Sequence, residues 1–192
     1  MSDVKLMREV KKAAETIRKG GVILYPTDTI WGLGCDARNN KAVEKIFLIK
    51  RRTAFKSLII LAESVERISQ YVDTDPELIR DLVEGFDRPT TIIYPGGKKL
   101  AKSVIAKDRT VAVRLARHTF CNALIKELNH PVVSTSANIS GDAPPSLFSQ
   151  INDEIKENVD YVVDWEQYTM KDIKPSTVIK LRDDGLYDVL RP

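Results

Sequence analysis

Short apolar runs alternate along the chain with amphipathic stretches, and this alternation limits the possible folds more than any other feature. Residues 3–19 carry apolar residues at spacings of three and four before Gly20-Gly21, which predicts a helix. The run 22–25 is apolar and ends at Pro26, which predicts a short buried strand. Strands and helices interspersed in this way favour an α/β domain with a mixed sheet.

The same pattern continues to the last residues. Further strands are predicted at 58–61, 90–94, 111–114, 131–135, 161–163, 177–181 and 186–190. Further helices are predicted at 39–49, from Asp75-Pro76 onward and at 120–128. Asp183-Asp184-Gly185 predicts a turn that joins the last two strands as a hairpin. The loop-like stretches 96–109 and 140–146 do not resemble a domain boundary, so we expect one domain over 1–192.

Composition excludes several classes of protein. The 192 residues, of which 43% are hydrophobic, are enough for a real core. Two cysteines, Cys35 and Cys121, and two histidines make a disulfide framework or a structural zinc site improbable, and we expect a reducing cytoplasm. The N-terminus lacks the features of a signal peptide, and no apolar run approaches the length of a membrane span. A net charge of +3 is a weak indication of anionic ligands and does not by itself indicate nucleic acid.

A polar segment at 134–141, Ser-Thr-Ser-Ala-Asn-Ile-Ser-Gly, directly follows the predicted strand at 131–133. It has almost no apolar side chain to bury, but it offers many hydrogen-bonding groups at the end of a strand, where open α/β sheets place their ligands. The alternative is a polar loop with a Ser-Gly turn.

The common nucleotide-binding and hydrolase motifs are missing. No P-loop sequence occurs, and no G-x-S-x-G elbow is present. Residues 32–37 match G-x-G-x-x-A, but the glycines lie several residues beyond the predicted strand and no acidic residue follows about 20 positions later. A nucleotide bound by this chain therefore needs other side chains.

Three cations, Lys50, Arg52 and Lys56, lie at or just beyond the end of the predicted helix 39–49. They fit a phosphate clamp, because arginine offers a planar fork and lysine a compact charge. The alternative is a set of cations that favours the helix C-terminus through its dipole.

Other polar residues adjoin the predicted strands. Arg114 ends the strand 111–114, where it holds either an anionic ligand or an internal carboxylate. Thr27 and Thr29 follow the first strand and either form a turn or line a pocket. A basic run then spans the loop after Pro95, as a solvated loop or as an RNA-facing surface. Its members are Lys98, Lys99, Lys102, Lys107 and Arg109.

Together these segments resemble the YrdC family, whose best-known members are threonylcarbamoyl-AMP synthases. The matching motifs are Pro-Thr-Asp-Thr-Ile-Trp-Gly-Leu at 26–33, Lys-Arg-Arg at 50–52 with Lys56, Val-Ala-Val-Arg at 111–114, Ser-Ala-Asn-x-Ser-Gly at 136–141, Ser-Thr-Val at 176–178 and Leu-Arg-Pro at 190–192. The departures from the family pattern are Trp31 in place of tyrosine, and Thr53, Ser57 and Ala116 in place of prolines. None of them removes a charge or an amide that the chemistry needs.

The resemblance implies a short, single-domain YrdC-like protein with a twisted mixed sheet and an open basic cleft. It also implies a reaction in which L-threonine, bicarbonate and ATP give threonylcarbamoyl-adenylate and pyrophosphate, with Mg²⁺ carried by ATP and no metal ligand from the protein. Other proteins, the downstream threonylcarbamoyl transferases, then modify an adenosine of certain tRNAs.

The resemblance also divides the candidate site residues. Lys50 and Arg52 are the catalytic candidates. The ATP side is expected to include Lys50, Arg52, Lys56, Thr110, Ser136, Asn138 and Arg191. The threonine side is expected to include Thr29, Arg114, Ser134 and Ser176. The alternatives are an RNA-binding module that uses the basic cleft without catalysis, a relative that handles another substrate such as carbamoyl phosphate, and an inactive paralogue.

Overall fold

Nine strands and six α-helices are found in the computed structural model, which describes residues 2–52, 58–169 and 175–192. The strands are β1 Ile23–Tyr25, β2 Gly32–Gly34, β3 Ile59–Ala62, β4 Thr90–Tyr94, β5 Val111–Leu115, β6 Val132–Ser136, β7 Tyr161–Val162, β8 Thr177–Leu181 and β9 Tyr187–Arg191. The helices are α1 Ser2–Arg18, α2 Asn40–Ile49, α3 Val65–Ser69, α4 Pro76–Glu84, α5 Thr119–Leu128 and α6 Asp153–Asn158, with a 3-10 helix at Phe148–Gln150.

The strands form one mixed sheet in the order β7-β1-β2-β6-β3-β5-β4-β8-β9. Three neighbouring pairs are parallel, namely β1 with β7, β3 with β5, and β4 with β8, and the other five are antiparallel. The α/β class and the mixed sheet predicted from the sequence are therefore confirmed. The predicted hairpin is also confirmed, because β8 pairs with β9 in antiparallel orientation.

One face of the sheet is covered by helices along the central strands. Ile60, Ile92, Val113 and Val133 point to this face and pack in one core with residues of α2, α3, α4 and α6. On the opposite face, α1 and α5 pack over Leu61 and its neighbours in a second core. The domain thus has one apolar layer on each side of a single sheet.

The second layer covers only part of its face. In a strand, residues two apart point to the same side. Leu61 and Val132 pack beneath α1 and α5. Ile59 and Ser134, two residues away on β3 and β6, line a cavity instead. The cavity therefore occupies the part of the sheet face that α1 and α5 leave open.

Strand β2 was not predicted as a strand, because the sequence pattern places Gly32 and Gly34 in a loop beyond β1. In the structure, β2 lies between β1 and β6. A Cβ at Gly34 would lie 2.7 Å from Cε1 of Tyr25 and 2.8 Å from the Val133 carbonyl oxygen, so only glycine fits there. The helices α3 and α6 and the 3-10 helix were also missed, and each has at most six residues.

Candidate active site

A cavity of about 380 Å³ lies on the open part of the sheet face, a volume within the usual range of small-molecule sites. Its lining residues come from seven strands and from the segments beside them. They are Thr27, Thr29, Ile30, Trp31, Gly32, Arg52, Leu58, Ile59, Thr91, Ile93, Ala112, Arg114, Ser134, Thr135, Ser136, Pro144, Pro175, Ser176, Val178 and Arg191. The sequence pattern had placed the ligand beyond a strand end, whereas the cavity lies over the strands themselves.

The C-terminal turn of α2 directs two of the predicted cations toward the sheet. Arg51 adopts a left-handed conformation with φ of 50°. Its N–H donates to the Leu48 carbonyl at 3.0 Å, and the Arg52 N–H donates to the Phe47 carbonyl at 2.9 Å. This is the hydrogen-bond pattern of a Schellman cap, which reverses the chain at the helix end. Lys50 and Arg52 therefore turn back toward β6, while Arg51 pairs at the surface with Glu154 at 2.8 Å.

Lys50 is buried behind the polar segment that follows β6, and it is not among the cavity-lining residues. Its ammonium donates to the carbonyl oxygens of Ser136 and Asn138, the latter at 2.6 Å. Its own carbonyl accepts the Ser140 N–H at 2.9 Å. Burial, together with the charge of Arg52, lowers the pKa of the Lys50 ammonium to about 8. Lys50 thus fixes the backbone of this polar segment.

Arg52 does line the cavity, and its Nη1 lies 3.4 Å from the Thr135 hydroxyl. Of the three predicted phosphate ligands, Arg52 is the one that the structure brings to the cavity. Lys56 falls outside the described residues.

The polar segment divides between the cavity and its surroundings. Ser134 and Ser136 line the cavity. Asn138 lies outside the lining, and its Nδ2 donates to the carbonyl oxygens of Ile139 and Asp142 at 2.9 and 2.8 Å. Its buried Oδ1 has no hydrogen-bond partner in the described part of the chain. The segment is therefore partly strand and partly an ordered turn.

Arg114 is the most deeply buried cation that lines the cavity, with a side chain 4% exposed. Its Nη2 lies 2.8 Å from Oδ1 of Asp28, whose side chain is 8% exposed. The Asp28 Oδ2 accepts the Arg117 backbone N–H at 3.3 Å. The buried Nε of Arg114 has no hydrogen-bond partner among residues 2–52, 58–169 and 175–192. Arg114 therefore has an internal carboxylate and still has a donor left.

The loop after β1 is ordered by its own hydroxyls. The Thr27 hydroxyl donates to the Ile30 carbonyl at 2.6 Å and accepts the Thr29 N–H at 3.2 Å. Trp31 is buried against Phe148, with ring centroids 4.9 Å apart. These contacts hold Thr29 at the cavity and Asp28 against Arg114.

The far side of the cavity contains a buried residue that sequence reasoning missed. The hydroxyls of Thr91 and Ser176 lie 2.8 Å apart. Arg191 donates from Nε and Nη2 to the Ser176 carbonyl at 3.0 and 2.8 Å. Thr91 belongs to an apolar strand and had no local motif to mark it, although its parity on β4 matches that of Ile93 in the cavity.

The remaining predicted residues lie outside the lining. The Thr110 hydroxyl donates to Asp108 at 2.7 Å, and this bond, together with Lys180, lowers the pKa of Asp108 to about 2. In the basic loop, Lys98 pairs with Asp73. Lys99, Lys102, Lys107 and Arg109 are exposed. The loop is thus separate from the cavity.

The electrostatic character of the cavity follows from its lining. Arg52, Arg114 and Arg191 contribute three guanidiniums, and no carboxylate lines it in the part of the chain that the structure describes. A guanidinium suits carboxylates and phosphates, and hydroxyls add neutral donors and acceptors.

Within the same described residues, no group of three His, Cys, Asp or Glu side chains could hold a metal ion. The described helices include none with the length and apolar content to cross a bilayer.

The fold and the cavity together define an α/β domain with an arginine- and hydroxyl-lined cavity on a mixed sheet. A family model for Sua5, YciO and YrdC, described as telomere recombination, matches residues 15–192. The chain therefore belongs to the Sua5/YciO/YrdC family, as its motifs predicted.

Similar proteins agree with this membership. A protein of Idiomarina loihiensis named threonylcarbamoyl-AMP synthase is 35% identical over 162 residues, which make up 82% of this chain and 87% of that protein. The crystal structure of E. coli YciO superposes with a TM-score of 0.83 at 29% identity, covering 96% of this chain and 88% of YciO. P. abyssi Sua5 complexed with L-threonine superposes with a TM-score of 0.81 at 31% identity, covering 90% of this chain and 50% of that Sua5 chain.

Proposed function

We propose that this chain is a threonylcarbamoyl-AMP synthase, which converts L-threonine, bicarbonate and ATP to threonylcarbamoyl-AMP and pyrophosphate. The observation that carries the proposal is Arg114, a buried guanidinium in a hydroxyl-lined cavity with an Nε–H that lacks a partner in the described chain. The names of the curated relatives and the L-threonine complex of Sua5 support it. One sheet contains strands from both halves of the chain, so we infer that 1–192 is a single domain.

The threonine side is assigned to the centre of the cavity. The Arg114 guanidinium binds the substrate carboxylate, because a charge-assisted bond supplies what its unpaired Nε–H lacks. Asp28 holds the guanidinium in place at 2.8 Å and reduces the net charge beneath the substrate. Thr29, Ser134 and Ser176 supply hydroxyls around it.

The ATP side is assigned to the edge formed by β2, β6 and the α2 turn. Arg52 and Ser136 contact the nucleotide from the cavity wall. Asn138 belongs to the ordered turn behind it, and Lys50 at the end of α2 bonds to that turn and contributes its charge from there. Lys56, Thr110 and Arg191 stay as further candidates for ATP, and of these Arg191 is the one found in the cavity lining.

The chemistry requires positioning more than proton transfer. The threonine amine and bicarbonate give a carbamate and water, with release of the ammonium proton. A carbamate oxygen then forms a bond to the α-phosphorus of ATP, and the bond to pyrophosphate breaks. Because the carbamate is already an anion, the residues act by orienting two anions and stabilising the charge that develops on pyrophosphate. Mg²⁺ enters as part of the MgATP substrate, and guanidiniums suit its phosphates.

The place of this enzyme in the cell follows from its product. A mixed carbamate–phosphate anhydride is reactive, so we infer that it passes to a transferase that modifies tRNA. Cys35 and Cys121 are both buried and are not joined by a disulfide, and so low a cysteine content fits the cytoplasmic location that we infer. RNA binding without catalysis is the second candidate, and the exposed cations of the loop 96–109 favour that surface over the cavity.

The proposed reaction is tested by pyrophosphate release from MgATP, with threonine or bicarbonate omitted in turn. Release is expected when both are present, together with a threonine-dependent adenylate by mass spectrometry. Equal ATP turnover without threonine would exclude the synthase. RNA affinity that falls steeply with salt, with no pyrophosphate under any condition, would favour the second candidate.

A further inference from the structure

The Thr91 and Ser176 hydroxyls form a closely spaced pair in the cavity lining. The other hydroxyl pair of the lining, Thr27 and Thr29, is 3.2 Å apart, and there the Thr27 hydroxyl donates to the Ile30 carbonyl. The Thr91 and Ser176 oxygens lie 2.8 Å apart, and these two residues are 1% and 5% exposed. Two hydroxyls carry two protons, and one of these is used between them. The pair therefore keeps one O–H donor and several lone pairs for a ligand in the cavity.

The register of the sheet places this pair beside Arg114. Thr91 of β4 is the direct cross-strand partner of Arg114 of β5. Such partners on one face have Cβ atoms about 4.5–5.5 Å apart. The partner of Arg114 on the other side is Leu61, which is buried in the apolar core under α1 and α5. Of the two residues paired with Arg114 on the neighbouring strands, Thr91 on β4 thus has a hydrogen-bonding side chain and Leu61 on β3 does not.

Arg191 fixes the backbone next to this pair. Its two N–H groups clamp the Ser176 carbonyl at 3.0 and 2.8 Å, and its Nη2 lies 3.4 Å from the Ser176 hydroxyl. The strand pairing of Val178 with Arg191 holds the two segments in the same register. The hydroxyl of Ser176 is therefore held at a defined distance from Thr91.

We propose that the Thr91 and Ser176 hydroxyls bind bicarbonate and then the carboxylate group of the carbamate, an inference that rests on the proposed function. Thr91 lies one strand spacing, about 4.8 Å, from Arg114. With the threonine carboxylate on Arg114, the amine and the carbon added to it therefore reach the Thr91 side. The remaining O–H of the pair donates to one oxygen of the ligand, and a lone pair of the pair accepts the O–H of bicarbonate. Neutral donors also suit a nucleophile, because a full cation would stabilise the negative charge of the carbamate oxygen and weaken its attack on phosphorus.

The test uses Thr91→Val, which removes the hydroxyl and keeps the branched shape, with Thr91→Ser as the variant that restores it. Thr90→Val is the matched control, since the Thr90 hydroxyl bonds to the Arg88 carbonyl at 3.1 Å and the adjacent residue points to the opposite face. Pyrophosphate release is measured against bicarbonate in carbonate-depleted buffer. Threonine binding is measured without bicarbonate by calorimetry.

Thr91→Val is expected to raise the KM for bicarbonate about tenfold, the effect of losing one hydrogen bond to a charged group. Threonine affinity should change less than about twofold, and Thr91→Ser and Thr90→Val should stay near wild type. An unchanged KM for bicarbonate, or a threonine affinity that falls as much, would overturn the inference. A wild-type protein that needs no bicarbonate would instead refute the proposed function.

Discussion

The α2 turn and strand β5 each bury a cation, and the two cations have different surroundings. The Lys50 ammonium donates hydrogen bonds to two backbone carbonyls, and Lys50 is outside the cavity lining. The Arg114 guanidinium lines the cavity, pairs with one carboxylate and keeps an unpartnered Nε among the described residues. A lysine that is held by two carbonyls outside the cavity organises backbone, whereas an arginine that lines the cavity with a remaining donor can bind an anion. Burial alone therefore does not separate a structural cation from a ligand-binding one.

The largest effect is expected from separating the two partners of Arg114. Arg114→Met leaves Asp28 buried without its cation, which should lower the free energy of unfolding by about 3–5 kcal/mol. Adding Asp28→Asn should recover most of this loss, because the uncompensated charge is gone. Threonine binding should stay lost in the double variant. Urea denaturation and calorimetry measure the two quantities, and recovery of threonine binding would make Arg114 purely structural.

The next effect tests the fork of Arg114 with its charge retained. Arg114→Lys should raise the threonine requirement about ten- to a hundredfold, since losing a charge-assisted bond costs roughly 1.5–3 kcal/mol. ATP affinity measured without threonine should barely change. If ATP affinity falls equally, Arg114 is a phosphate ligand and the division of the cavity is wrong.

Lys50 should respond in stability more than in ligand affinity. Lys50→Met leaves the Ser136 and Asn138 carbonyls without their donor, which should cost about 1–3 kcal/mol of unfolding free energy. Lys41→Met at an exposed position is the control and should stay within about 0.5 kcal/mol. A Lys50→Met variant of normal stability that fails to bind ATP would show direct phosphate contact instead.

The last prediction is a pH dependence that belongs to Lys50. Its pKa is lowered from 10.5 to about 8 in the folded protein, so between these values the unfolded chain binds more protons. Stability from this group therefore rises with pH across that window, by at most about 1.4 kcal/mol per pH unit, and is constant below it. The difference in unfolding free energy between wild type and Lys50→Met should widen from pH 8 to pH 10. A constant difference would contradict the lowered pKa.

The sequence by itself determined most of the elements and several of the polar side chains that line the cavity. Periodicity and turn residues predicted α1, α2, α4, α5 and eight of the nine strands, because those signals are local. The motifs also identified Arg52, Arg114, Ser134, Ser136 and Ser176, which all line the cavity. Family membership followed from the same motifs and is confirmed by the match over residues 15–192.

The tertiary structure alone decided which polar groups meet. Gly32–Gly34 is a strand because its neighbours β1 and β6 pair with it and leave no room for a side chain at Gly34. Thr91 lines the cavity because it pairs with Arg114 across the sheet. Lys50 lies outside the lining because its ammonium bonds to carbonyls 86 and 88 residues away. Such contacts depend on strand order and on helix ends turning back to the sheet. Local sequence carries no signal for them, because the partners lie far apart along the chain.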